Sequence, residues 1–237
     1  MVETIDLARE LRAMALREGA DLCGVADLTP ARDFIVAQGG AYLANFPRAV
    51  SVAIALSPAI VAGLGRREDN ALAQTYHEYI YGIVNRKLNE VALRLTNALL
   101  REGHGAYLVP SSQTLDAANH AGLFSHKLAA HLGGLGFIGR GCLLVTSQFG
   151  ARVRLATVLT DAPLPPDGPA IGACGECRRC VDICPPHAFS GAEFRPEDPR
   201  DVRMNATLCR RYLDHREKTV GRAVCGLCVS VCDGRQA

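Results

Sequence analysis

The stretch CGECRRCVDICP, residues 174–185, places four cysteines in twelve positions and closes on proline. Thiols at that density ligate metal or carry electrons, because a reducing compartment does not keep them as disulfides. The spacing C-x2-C-x2-C-x3-C-P is the bacterial ferredoxin run, with three thiolates on one [4Fe–4S] cluster and the fourth on a second. Downstream come Cys209 and, after a gap of 15 residues, Cys225, Cys228 and Cys232, which repeat the last three spacings with the first ligand displaced upstream. The expected ligand sets are therefore crossed. Cys174, Cys177 and Cys180 join Cys232, while Cys225, Cys228 and Cys209 join Cys184. Structural zinc is the alternative, but it prefers separated ligand pairs in one tetrahedral set and fits two interlocking triplets poorly.

Composition bounds what surrounds these thiols. The chain has 237 residues, 49% of them apolar and 21% charged, with a net charge of +2. These values suit a soluble globular protein and point to neither nucleic acid nor membrane. The apolar run VSVAIAL (50–56) is strand-sized, far short of a membrane span, and MVETIDLARELRA has no secretory core. A cytoplasmic location is expected. Of the ten cysteines, Cys23 and Cys142 are isolated in apolar surroundings.

The first 160 or so residues read as an α/β domain. IDLARELRAMALREG sets Ile5, Ala8, Leu11, Ala15 and Leu16 on one helical face, with Gly19 suited to the C-cap. ADLCGVAD and RAVSVAIAL read as strands, the second covered on both faces. A long helix is expected over about 70–102, with Ile80, Val84, Leu88, Val91, Leu95 and Leu99 three or four apart. GAYLVP is a further strand and FSHKLAAHLGG a helix. CLLVT and RVRLATVLT are expected to pair as neighbouring strands. APLPPDGPAIG (162–172) reads as a linker. The expected division is 1–165 for the α/β domain and 171–237 for a small two-cluster, ferredoxin-like domain whose stability comes largely from ligation.

Gly134, Gly136 and Gly139 spell GxGxxG, but after a helix and before a strand, the reverse of the dinucleotide fingerprint. With Arg140 they read either as a loop of exposed amides holding a cofactor edge or as a turn needing positive φ.

The order AGLGFIGR…LLVT…FG…R…TVLTD, a linker, CxxCxxCxxxCP and a second cysteine group resembles the epoxyqueuosine reductase and reductive dehalogenase superfamily. The opening GADLCGVADL resembles the start of those proteins too. The resemblance implies a nitroreductase-like α/β domain that binds cobalamin and a ferredoxin domain that feeds electrons to the cobalt. It would place Gly134 to Gly141 against the corrinoid. Two departures speak against a tRNA substrate. PSSQTLD stands where the family carries its proton-donating acid, leaving Asp116 as the nearest substitute, and the chain stops five residues after Cys232.

Other candidates follow from position. Ser111, Ser112 and Gln113 end a strand, where α/β sheets bind ligands, or cap the next helix. Tyr76, in TYHEYIYG, is a phenol able to donate a proton or else an aromatic of the core. Cys142 is a reactive thiol, a lower ligand to cobalt or inert core. His126 and His131 read as a solvated helix face, and His187 as a donor to a cluster sulfide or an exposed ring. Arg178, Arg179, Arg210 and Arg211 suit an acidic electron donor such as ferredoxin or flavodoxin. The expected function is an iron–sulfur oxidoreductase passing electrons through two clusters to cobalamin or a small-molecule substrate. The alternative is a carrier or reductive activator of a corrinoid protein, with no substrate of its own.

Overall fold

The β-branched run RAVSVAIA forms an inner strand of a four-stranded sheet, with Val50, Val52, Ala49 and Ala53 fully buried. The computed structural model describes residues 2–66 and 69–234. Its elements are α1 (Val2–Arg17), β1 (Leu22–Asp27), α2 (Arg32–Gly39), β2 (Arg48–Ala55), α3 (Pro58–Ala62), α4 (Asn70–His77), α5 (Asn85–Arg101), β3 (Ala106–Val109), α6 (His126–Leu132), β4 (Phe137–Ile138), β5 (Leu144–Val145), β6 (Val153–Thr160), α7 (Arg179–Asp182), α8 (Ala206–Val220) and α9 (Leu227–Ser230).

They form two compact units that interleave along the chain. The first comprises Met1–Ile54, Val84–Gly136 and Arg154–Ile171; the second comprises Ala55–Ile83, Phe137–Val153 and Gly172–Ala237. Segments 55–83 and 137–153 thus lie with the cysteines, although the sequence groups them with the α/β part.

In the first unit the strand order is β1-β2-β6-β3. Leu22 faces Ala53 in the antiparallel β1–β2 pair, and Ala106 faces Thr160 in β3–β6. Leu88, Val91, Leu95 and Leu99 of α5 are buried, as are Leu11 and Ala15 of α1, which packs on α5. Each such leucine gains about 2 kcal/mol from burial. Ile5 and Leu16 of the expected α1 face are about half exposed, so the true apolar stripe is narrower.

Three local expectations change. The long helix is interrupted by a π-helical stretch, Glu78–Val84, where one extra residue widens the turn. CLLVT does not pair with RVRLATVLT. Its Leu144–Val145 instead pairs with Phe137–Ile138 in a separate two-stranded hairpin. The proline-rich segment is pinned, not loose. Ala162 and Leu164 are fully buried, the Leu164 carbonyl accepts from Arg48 Nε at 3.0 Å, and Asp167 takes Arg12 and the Val25 amide at 2.8 Å each.

The second unit includes a small apolar cluster around Val181, Ala188 and Phe189. In it α7 packs on α9. The longest of its cysteine-bearing helices, α8, starts at an Asn205 cap that accepts from the Leu208 amide and ends at left-handed Gly221.

Candidate metal centre

Each cysteine group is built on one local device. CGEC and CGLC put a glycine after the first thiol, and both Gly175 and Gly226 adopt positive φ (53° and 74°). The turn folds the next cysteine back toward the first and launches a single helical turn, α7 after Cys177 and α9 after Gly226. Cys180 lies in α7, Cys228 in α9 and Cys209 in α8.

The thiols fall into two electrostatic sets. Burial pushes Cys180 up to about 11, with Cys232, Cys174 and Cys177 adding to the rise. Cys232 is raised by burial, lowered by the Ala151 and Gly234 amides, and raised again by Cys174 and Cys177. In the other set, burial pushes Cys228 up to about 12, helped by Cys225, Cys209 and Cys184, and more weakly by Cys180. Cys209 is raised by burial and by Cys225 and Cys184. Such thiols ionise only where a metal compensates the charge. Among the described residues no three donors are placed to hold one metal ion. Four thiolates around a cubane stand further apart than four around a single ion.

The β4–β5 hairpin presses its tip on the first set. The Arg140 amide lies 3.4 Å from Cys174 Sγ. A Cβ on Gly139 would lie 3.0 Å from Cys174 Sγ, and one on Gly141 would lie 3.0 Å from Cys180 Sγ. Neither glycine has positive φ, so close approach is the reason for both. The Arg140 guanidinium reaches the Gly191 carbonyl, the Gly175 carbonyl (2.8 Å) and Glu193 (2.9 Å). On the second set the Ala188 amide points at Cys184 Sγ (3.4 Å).

The remaining expected residues are dispersed. Gly139, Arg140 and Cys142 belong to the cysteine-bearing unit, with Cys142 buried at φ 52°. Gly134, at φ 76°, backs onto Gly168 and Asp167, and the Gly136 carbonyl accepts from His131 Nδ1. Ser111 is buried, its hydroxyl donating to the Asn85 carbonyl and its amide to Asn89, so it is tied into the fold. Ser112 and Gln113 are exposed. Asp116 is fully exposed and closes its own turn. Hydrogen bonds from the Asn119 amide and side chain hold its carboxyl below the usual range. Tyr76 is buried against Gly226, where a Cβ would lie 2.9 Å from the ring, and is therefore a wall of the second cysteine group.

The histidines correct the sequence reading. His126 is half-buried, with Nε2 2.9 Å from the Pro110 carbonyl and Nδ1 2.8 Å from Thr157 Oγ1. A carbonyl only accepts, so Nε2 carries the proton and Nδ1 accepts from the threonine hydroxyl. Burial lowers its pKa to about 4. His187 is exposed, and the sulfur contact beside it is made by the Ala188 amide.

Sequence reasoning missed Gly150 and Arg203. At Gly150, with φ 59°, a Cβ would meet the Cys232 carbonyl at 2.4 Å. The residue was visible only as part of an FG pair. Arg203 is a buried charge in a segment whose arginines read as surface.

Residues 173–234 match the family described as a 4Fe-4S double cluster binding domain. This segment is a double [4Fe–4S] cluster domain. The chain is 30% identical over 133 residues to epoxyqueuosine reductase of Bacillus anthracis, a match spanning 54% of this chain and 34% of that protein. It is 31% identical over 145 residues to the Pseudomonas aeruginosa enzyme, spanning 60% and 33%. The match thus covers about a third of the curated relatives' length. A solved epoxyqueuosine reductase superposes with a TM-score of 0.60 at 19% identity, covering 97% of this chain and 65% of that one. A catabolic reductive dehalogenase superposes with 0.65 at 20% identity, covering 94% and 31%. The chain shares their fold.

Proposed function

We propose that this chain is an iron–sulfur oxidoreductase in which two [4Fe–4S] clusters relay electrons one at a time. Cys174, Cys177, Cys180 and Cys232 hold one cluster. Cys184, Cys209, Cys225 and Cys228 hold the other. The observation that carries the reading is the division of eight buried or half-buried thiols into two sets of four, each closed by a cysteine from the other end of the segment. The Arg140 and Ala188 amides stabilise thiolate on each set, and Gly139 and Gly141 leave room for the hairpin to cover the first.

The acceptor is a cobalamin or a small substrate at the first unit. One reductive dehalogenase of this fold is described as B12-dependent, which supports a corrinoid. Of the residues expected to meet it, Ser111, Gly139, Arg140 and Cys142 are committed elsewhere. Ser112, Gln113 and Gly134 remain exposed and offer hydroxyl, amide and backbone groups to an amide-fringed macrocycle. A bound corrinoid would supply the reducing metal, and this chain's residues would orient it.

The tRNA substrate is not carried over. A solved relative holds an epoxyqueuosine-modified tRNA stem loop, and another has an aspartate-bearing catalytic loop. Here Asp116 is spent on its own turn. The exposed Arg178, Arg179, Arg210 and Arg211 suit an acidic donor such as a ferredoxin or flavodoxin.

Anaerobic purification with iron, sulfide and cobalt analysis, before and after adding cobalamin, tests this. About eight irons with a retained corrinoid support the full reading. The same iron with no cobalt and no spectral response leaves a carrier. Zinc in place of iron overturns it.

A further inference from the structure

Arg203 is 7% exposed, and its Nε has no hydrogen-bond partner. None of the ion pairs among the described residues includes it. A guanidinium does not shed its proton, and burying one without an anion is costly. Two contacts of this cation are with sulfur and with an aromatic ring. Its Nη1 lies 3.8 Å from Cys142 Sγ, and its plane sits 4.8 Å from the centre of the Phe194 ring. Cys142 in turn packs with Val181, Cys184, Ala188 and Phe189, against which Cys180, Cys209 and Cys228 are placed. Cys180 belongs to one thiol set and the other three to the second. The charge therefore lies against Cys142, a member of the apolar cluster on which cysteines of both sets pack.

We propose that Arg203 is a buried counter-charge for the two clusters, which raises their reduction potentials. The inference rests on the two-cluster reading above. A cubane on four thiolates is an anion in both redox states and gains one more negative charge on taking up an electron. A fixed cation nearby favours the reduced state, more strongly where water is excluded. Arg203 is 7% exposed, so little water reaches it. The exposed arginines Arg178, Arg179, Arg210 and Arg211 are screened by water and salt, and Arg140 is spent on Glu193. Arg203 touches no reacting atom; it is a positioning residue acting through the clusters.

The test uses the full chain, reconstituted without oxygen, as wild type and as Arg203→Met, Arg203→Gln and Arg203→Lys. Iron and sulfide content come first. Each midpoint is then titrated with dithionite and followed by electron paramagnetic resonance. The expected result is full cluster loading in the Met and Gln variants with at least one midpoint shifted to more negative potential. The shift should persist at high salt, and the Lys variant should recover most of it. Loaded Met or Gln variants with wild-type midpoints overturn the proposal. So does loss of both clusters in the neutral variants, which would make Arg203 a packing residue. Wild-type protein without iron instead overturns the two-cluster reading.

Discussion

A Cβ placed on Gly150 would lie 2.4 Å from the carbonyl oxygen of Cys232. The turn Thr146–Gly150 and the segment after α9 that carries Cys232 therefore touch backbone to backbone, and the Ala151 amide donates to that same carbonyl at 3.1 Å. Gly150→Ala must both leave a left-handed backbone and push the Cys232 segment away. The variant is expected to lose about half its iron, the share of one cluster. Iron analysis against the wild type checks this.

If the ligand sets are crossed, cysteine variants group by set and not by sequence neighbourhood. Cys184→Ser should reproduce the resonance signature of Cys225→Ser, and Cys232→Ser that of Cys174→Ser. A grouping of Cys184 with Cys174 would reject the assignment. The residual signal in each class identifies the surviving cluster.

Arg140 ties three backbone or side-chain acceptors around the first set with one planar group. Lysine cannot reproduce that fork. Both Arg140→Lys and Arg140→Ala are expected to hold the first cluster less firmly, seen as faster iron loss to a chelator. The second cluster's loss rate should stay unchanged.

His126 gives the first unit an acid limit. Its pKa falls from 6.5 to about 4 on folding, so between those values the unfolded chain binds a proton that the native chain does not. Stability is full above pH 6.5 and is lost as pH falls toward 4. At about 1.4 kcal/mol per pH unit the loss amounts to about 3 kcal/mol. Denaturant midpoints measured across this range should show the slope in wild type and not in His126→Gln.

The sequence made the double-cluster segment legible because ligation imposes short, fixed spacings. Strand β2 was legible because a strand covered on both faces must be apolar throughout. Other features had no such local signature. β4 and β5 are two residues each, too short to display alternation, so the pairing partner of CLLVT was hidden. Val61, Leu64, Tyr76 and Ile80 are apolar like any core residue, and only tertiary packing assigns them to the cysteine-bearing unit. Arg203 and His126 bear polar side chains that default to solvent, and nothing in their neighbours announces burial. Gly139 and Gly141 were visible, but their purpose, yielding space to Cys174 and Cys180, lies across 35 or more residues of chain.

With Cys184 grouped among the downstream thiols and Cys232 among the upstream ones, damage cannot stay local. Oxygen that dismantles one cubane would free a cysteine anchored inside the other's scaffold. Loss of the first cluster should hasten loss of the second, and the domain should bleach in air as one event.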